Sequence, residues 1–267
     1  MRSVLGIDAA WTEGEPSVVA LIADDGSGWR LVEVAASYAA FLAEGDTPST
    51  YIRHRGSVPD SESIVNTARS KIGTNVDVVA IDIPLSMTPI TGRRASDNMI
   101  SSLYGARHAS THTPSATRPG RLSDELRKGF DAIGYPLVMS EFSGKALLEV
   151  YPHPALIELA AAERHLAYKH SKMWKYWPDA PPSLRRTRLF EVWMQIVVLL
   201  DARISGVAAA LSFPPLEARG YEMKAFEDML DAMVCAWVGA CALDGEARAY
   251  GDSMSAIWVP IPIGMDG

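Results

Sequence analysis

The chain is poor in cysteine: Cys235 and Cys241 are its only two among 267 residues. Six positions apart in one predicted helix, they fall on different faces, so a mutual disulfide and a thiolate metal site are not expected. Long hydrophobic runs are also missing. The greasiest stretch, Val192 to Leu200, contains Gln195 and is flanked by Glu191 and Asp201. It falls short of the roughly 20 apolar residues a membrane span needs. The opening Met1-Arg-Ser-Val-Leu-Gly-Ile-Asp8 has too little apolar length for a signal peptide. A soluble, cytoplasmic protein is the expectation. His108 and His112 have helical i, i+4 spacing, but the Ala-Ser-Thr between them lacks the glutamate of a zinc-protease motif.

What is present is the composition of an ordinary globular protein, with 48% hydrophobic and 21% charged residues. Its length allows a single elaborated domain over residues 1–267. The net charge of −7 is unevenly spread. Residues 93–128 hold seven Lys or Arg against three acids, and residues 164–188 hold seven against one. In the second stretch Lys169, Lys172 and Trp174 belong to a run of interleaved cations and aromatics, the pattern of surfaces that stack bases and neutralise phosphates. The same run also fits a solvated basic loop whose aromatics fold back into the core.

Strands are predicted near residues 2–8, 17–23 and 29–35, the last two forming a hairpin that turns at Asp24-Asp-Gly-Ser-Gly28. A helix over Ser61 to Ile72 leads to a strand, Val76 to Asp82. The order is β-β-β-α-β, an α/β fold. Residues 86–142, rich in Ser, Thr, Pro, Gly and Arg, read as an Arg-rich insertion after the fourth strand, with short helices. A strand at Ala146 to Val150 stops at Tyr151-Pro-His-Pro154, where two prolines forbid ladder pairing. From Ala155 the chain reads as mainly helical, with an apolar stripe at Phe190, Trp193, Val197, Leu200 and Ile204 and a last strand at Ala256 to Val259.

Asp8 and Asp82 each end a buried-strand pattern, where parallel sheets place their chemistry. In the helix from Tyr221 to Leu243, Lys224, Asp228 and Asp231 share the side opposite an apolar stripe of Phe226, Leu230, Met233, Trp237 and Ala240. Singly, these acids are also accounted for as turn formers, caps or an i, i+4 pair of Lys224 with Asp228. Together they form a set of hard oxygen donors suited to Mg²⁺ or Mn²⁺, and without cations they would repel one another. Two such ions about 4 Å apart promote in-line cleavage of phosphodiesters.

Five segments carry a resemblance: Gly6-Ile-Asp8-Ala-Ala-Trp11, Ile81-Asp82-Ile-Pro-Leu85, Arg93-Arg-Ala-Ser-Asp97, Glu149-Val-Tyr-Pro-His-Pro154 and Asp228-Met-Leu-Asp231-Ala. In this order they resemble the motifs of a family described as predicted ribonuclease H-like nucleases, of the superfamily that includes the Holliday-junction resolvase RuvC. The resemblance implies a ribonuclease H-like mixed sheet flanked by helices, with Asp8, Asp82, Asp228 and Asp231 as metal-binding and catalytic acids. Glu149 would hold a second metal or orient His153. The expected activity is metal-dependent hydrolysis of phosphodiester bonds in nucleic acid. Arg93, Arg94, Arg107, His153, Lys169, Lys172 and Trp174 are candidates for gripping the polymer. Two other readings stand beside it. An actin- or sugar-kinase-like phosphotransferase would need a glycine-rich phosphate loop where Asp8 is followed by Ala-Ala-Trp11. A non-catalytic nucleic-acid-binding or scaffold protein would keep the sheet and lose the metal.

Overall fold

The computed structural model describes residues 1–43 and 53–262. Strands β1 (Arg2–Asp8), β2 (Val18–Asp24) and β3 (Trp29–Ala35) form an antiparallel meander. The hairpin turns where expected, with the Asp24 carboxylate accepting from the N–H groups of Gly26 and Gly28 at 2.8 and 3.0 Å. A short helix that the sequence pattern did not reveal, α1 (Tyr38–Leu42), precedes α2 (Ser61–Ile72). The ends of α2 follow from local chemistry. Asp60 accepts from Ser63 N at 3.0 Å at one end, and Gly73 takes a left-handed φ of 75° at the other.

Strand β4 (Val78–Asp82) follows, then α3 (Ala95–Tyr104) and α4 (Arg121–Ala132) within the region read as an insertion. After β5 (Ala146–Val150), Pro152 opens helix α5 (Pro152–Leu159), so the prolines that end the ladder also start the helix. The chain from 160 to 181 is less helical than expected, with a 3-10 turn at His170–Lys172 running into the single turn of α6 (Met173–Tyr176). Helices α7 (Pro182–Asp201), α8 (Val207–Ala210) and α9 (Gly220–Leu243) complete the helical part. Two strands close the chain: β7 (Ala256–Pro260), which was expected, and its antiparallel partner β6 (Ala247–Gly251), which was not. Among the described residues no helix is long and apolar enough to cross a membrane.

The result is a seven-stranded mixed sheet of order β3-β2-β1-β4-β5-β7-β6. Strands β1, β4 and β5 run parallel, with Asp8 opposite Asp82 and Ile81 opposite Glu149. Side chains alternate between faces. Val4, Val78, Ala80 and Leu148 therefore share one face with α7 and α9, while Leu5, Ile7, Val79, Ile81 and Leu147 pack beneath α2 and α4 on the other. By the same period Asp8 and Asp82 emerge on the α9 face.

Two glycines bring α9 unusually close to the sheet. A Cβ on Gly6 would stand 2.3 Å from the Ala232 carbonyl oxygen and 2.5 Å from Ala236 N. One on Gly239 would stand 2.5 Å from Val4 Cγ1. With α9 seated on β1 at Ala232, the turn before it, carrying Asp228 and Asp231, lies over the end of β1.

Candidate metal centre

Asp8, Asp228 and Asp231 each offer a carboxylate oxygen within 4.8 Å of the others. Asp228 and Asp231 are buried and Asp8 is partly accessible. Asp82 stands beside this group and does not join it.

The surroundings are charged on both sides. Lys224 pairs with Asp228, the i, i+4 contact expected along α9. Lys169 pairs with Asp231 and lies 3.4 Å from Glu227. Tyr168 donates its hydroxyl to Asp231 Oδ1 at 2.7 Å, and the backbone N–H of His170 donates to Glu227 at 2.6 Å. Five carboxylates thus face two ammonium groups, and neither the Asp8 nor the Asp82 carboxylate has a hydrogen-bond or ion-pair partner among the described residues.

Burial is the first cause of the raised proton affinities at this group, and the neighbouring acids add to it at Asp8 and Asp82. Burial, reinforced by Asp228 and Asp231, pushes the Asp8 carboxyl well above the usual range. Burial and then Asp231 raise Asp82 to about 8. Asp228 rises to about 6 through burial, with Lys224 pulling the other way. Burial works against the Lys169 ammonium, yet Asp231, Tyr168 and Glu227 hold it well above its ordinary value. A hard divalent cation fits such a donor set: Asp8 and one oxygen of Asp228 are unclaimed, and the surplus negative charge is what an ion would relieve. It would have to share Asp231 with Lys169 and Tyr168.

Asp8 and Asp228 lie in a cleft of about 1140 Å³, whose other lining residues include Trp11, Arg53, Arg55, His112, Arg118 and Lys224. Of these, Trp11 and Lys224 fell inside the acid-bearing segments, and His112 and Arg118 inside the basic stretch 93–128, whereas Arg53 and Arg55 lay outside every segment singled out from sequence. Arg53 and Arg55 come from a loop that no local pattern marks.

Several residues expected at the site serve elsewhere. Glu149 is on the opposite face of the sheet, because it pairs with Ile81 and not with Asp82. It accepts from Arg94 through both oxygens, at 2.5 and 2.7 Å, and from Leu85 N at 2.7 Å. Arg94 is correspondingly no phosphate grip: it is buried, and its guanidinium also donates to Asp97 at 2.9 and 3.0 Å and to the Leu85 carbonyl at 2.6 Å. Arg93 ties Asn98, Ser101 and Thr113 together, and Arg107 ties Glu158 to the carbonyl of Ala162. Lys169 turns inward to Asp231, so its place is within the acid group and not along a polymer backbone.

His153 is buried against His165, Tyr151 and Tyr168, at ring separations of 4.4, 5.0 and 5.5 Å. Burial and then the nearby Lys169 hold its pKa well below the ordinary value. Glu149, with both oxygens committed to Arg94, does not orient it. Lys172 is half-buried, and after burial its charge lowers the pKa of His112 at the cleft. Trp174 is 58% exposed, with Lys175 over its ring.

No curated protein and no solved structure matches the chain. A family described as "Protein of unknown function (DUF429)" matches residues 6–255, and the chain belongs to it.

Proposed function

We propose that this protein is a divalent-metal-dependent hydrolase of phosphodiester bonds in nucleic acid, built on a ribonuclease H-like sheet. One observation carries the reading: Asp8, Asp228 and Asp231 converge within 4.8 Å beside a cleft whose walls carry arginines. Acids alone would serve many purposes. Acids that await a cation, next to cations that await an anion, fit a phosphoester held between them. The order of elements supports the same reading, with acids on the first strand, on the strand after α2 and on a late helix packed over both.

Asp8, Asp228 and Asp231 would hold Mg²⁺ or Mn²⁺, which when bound supplies Lewis-acid activation of water and of the phosphoryl oxygen. Asp82 adds negative charge beside Asp231. Tyr168 fixes the Asp231 carboxylate, and its own carbonyl is anchored by Trp193 Nε1 at 2.8 Å. Arg53, Arg55 and Arg118 bind phosphate from the cleft wall, a task for which a planar, permanently charged donor fork is suited.

The test is Mn²⁺ titration by calorimetry, with labelled oligonucleotides incubated in Mn²⁺ or EDTA. The parent protein is expected to bind Mn²⁺ and cut only in its presence, and Asp8→Asn to lose both while keeping the parental circular dichroism spectrum. An isotherm unchanged by Asp8→Asn would overturn the proposal.

A further inference from the structure

The cleft wall beside the acids has its own construction. Trp11 lies three residues beyond Asp8, on the loop that leaves β1, with its indole partly exposed and lining the cleft. The guanidinium carbon of Arg118 is 5.9 Å from the indole centroid. A tight turn fixes Arg118: Ser115 N donates to its carbonyl at 2.8 Å, and its own N–H donates to the Ser115 hydroxyl at 3.1 Å. From the other side, the segment carrying Arg53 and Arg55 is pressed onto the Trp11 loop at Gly56. A Cβ there would stand 2.2 Å from the Glu13 carbonyl oxygen and 2.5 Å from that of Glu15, so only glycine permits the approach. None of the three arginines pairs with a carboxylate among the described residues.

We infer that this wall is a subsite for an unpaired nucleotide: the base stacks on Trp11, Arg53, Arg55 and Arg118 take the flanking phosphates, and the adjoining phosphodiester is set against Asp8 and Asp228. The arginines alone would fit any phosphate or acidic peptide. An aromatic face among them, beside acids suited to a metal, selects a ligand that alternates flat rings with phosphates. In a duplex both faces of each base are covered by its neighbours, so a base available for stacking on Trp11 must come from a single strand. The inference rests on the hydrolase reading for the position of the scissile bond, whereas the subsite is read by binding alone.

The experiment is fluorescence anisotropy with the full chain in Ca²⁺, using a labelled oligothymidylate, a base-free deoxyribose-phosphate strand of the same length, and a thymidine–adenine duplex. The thymidylate strand is expected to bind about tenfold more tightly than the base-free strand, the scale of one stacked base, and more tightly than the duplex. Trp11→Ala removes that preference. Trp11→Leu does the same if the alanine variant fails to fold, because it keeps apolar volume without a stacking face. Arg118→Gln weakens both single strands alike and leaves their ratio intact. Equal binding of the base-free strand or the duplex by the parent protein, or a preference that survives loss of the indole, overturns the inference. Strands bound through their bases but never cut in Mn²⁺ would leave the subsite standing and remove the hydrolase. Strands cut in Mn²⁺ but bound without regard to base would do the reverse.

Discussion

Two buried acidic clusters lie on opposite faces of one sheet, and their wiring differs. Around Arg94, every carboxylate oxygen has a donor: Glu149 receives both terminal guanidinium nitrogens and Leu85 N, and Asp97 receives Arg94 N, Nε and Nη2. Burial works against the Arg94 cation, yet Glu149 and Asp97 hold its pKa above the usual range. Around Asp8, the donors run out. Lys169, Lys224 and Tyr168 serve Asp228 and Asp231, and nothing among the described residues serves Asp8 or Asp82. Burial and acidity are common to both clusters, so neither marks a site. What separates them is whether each charge is matched, and the unmatched set is the one for which a cation is proposed.

The largest effect should come from breaking the matched cluster. Arg94→Ala strands two buried carboxylates and is expected to cost about 3–5 kcal/mol in urea unfolding, the usual penalty for removing one partner of a buried pair. Arg94→Lys should recover only part of it, since one ammonium cannot reproduce the paired contacts to Glu149 and Asp97. Loss of less than about 1 kcal/mol would show that the clamp does not hold the segment after β4 to β5, and the contrast between the clusters would fail.

A smaller loss, with a second consequence, is expected at Gly6. The alanine Cβ meets the backbone of Ala232 and must push α9 off β1. Overpacking of this kind costs about 1–3 kcal/mol. Because Asp228 and Asp231 ride on α9 and Asp8 on β1, Gly6→Ala should also weaken Mn²⁺ binding in calorimetry. Arg94→Lys, on the other face, should leave that affinity unchanged. If both variants weakened binding equally, the acid group would be responding to global stability and not to the seating of one helix.

Much of this arrangement was legible in the sequence. The first three strands announce themselves by apolar runs and an Asp-rich turn, and α2 was placed over the same residues, Ser61 to Ile72. Asp8, Asp228 and Asp231 were found because a strand end and a helix face are local properties. Glu149 was misplaced because its face depends on the register between β4 and β5, which pairs it with Ile81, and no local pattern encodes that. Lys169 read as a surface cation because its partner, Asp231, lies 62 residues further on. Strand β6 was missed because it is half-exposed at the sheet edge, with Arg248 and Tyr250 in place of a buried apolar run. The cleft arginines come from loops far apart in sequence, with Arg53 and Arg55 brought to the Trp11 loop by the close approach at Gly56 and Arg118 by its place over the indole.

The smallest effects are tests of sign, and they set the unmatched acid Asp82 against Asp24, an acid matched by an exposed partner. Asp82 ordinarily titrates near 3.8 but is raised to about 8 in the folded protein, so between those values the native state holds a proton that the unfolded chain has lost. Stability of the metal-free protein therefore falls as pH rises through that window, and Asp82→Asn should flatten the fall in a thermal-denaturation series. Mn²⁺ should flatten it as well, because an ion favours the ionised carboxylates. Asp24 runs the other way: Arg2, followed by the N–H groups of Gly26 and Gly28, lowers it from 3.8 to about 2. Its contribution is complete above pH 4 and disappears as pH falls towards 2, so Asp24→Asn should flatten only the acid limb, and slightly, because Arg2 is 43% exposed. If Asp82→Asn left the alkaline limb unchanged in EDTA, Asp82 would already be matched by a donor, and its part in the charge deficit beside Asp8 would fall away.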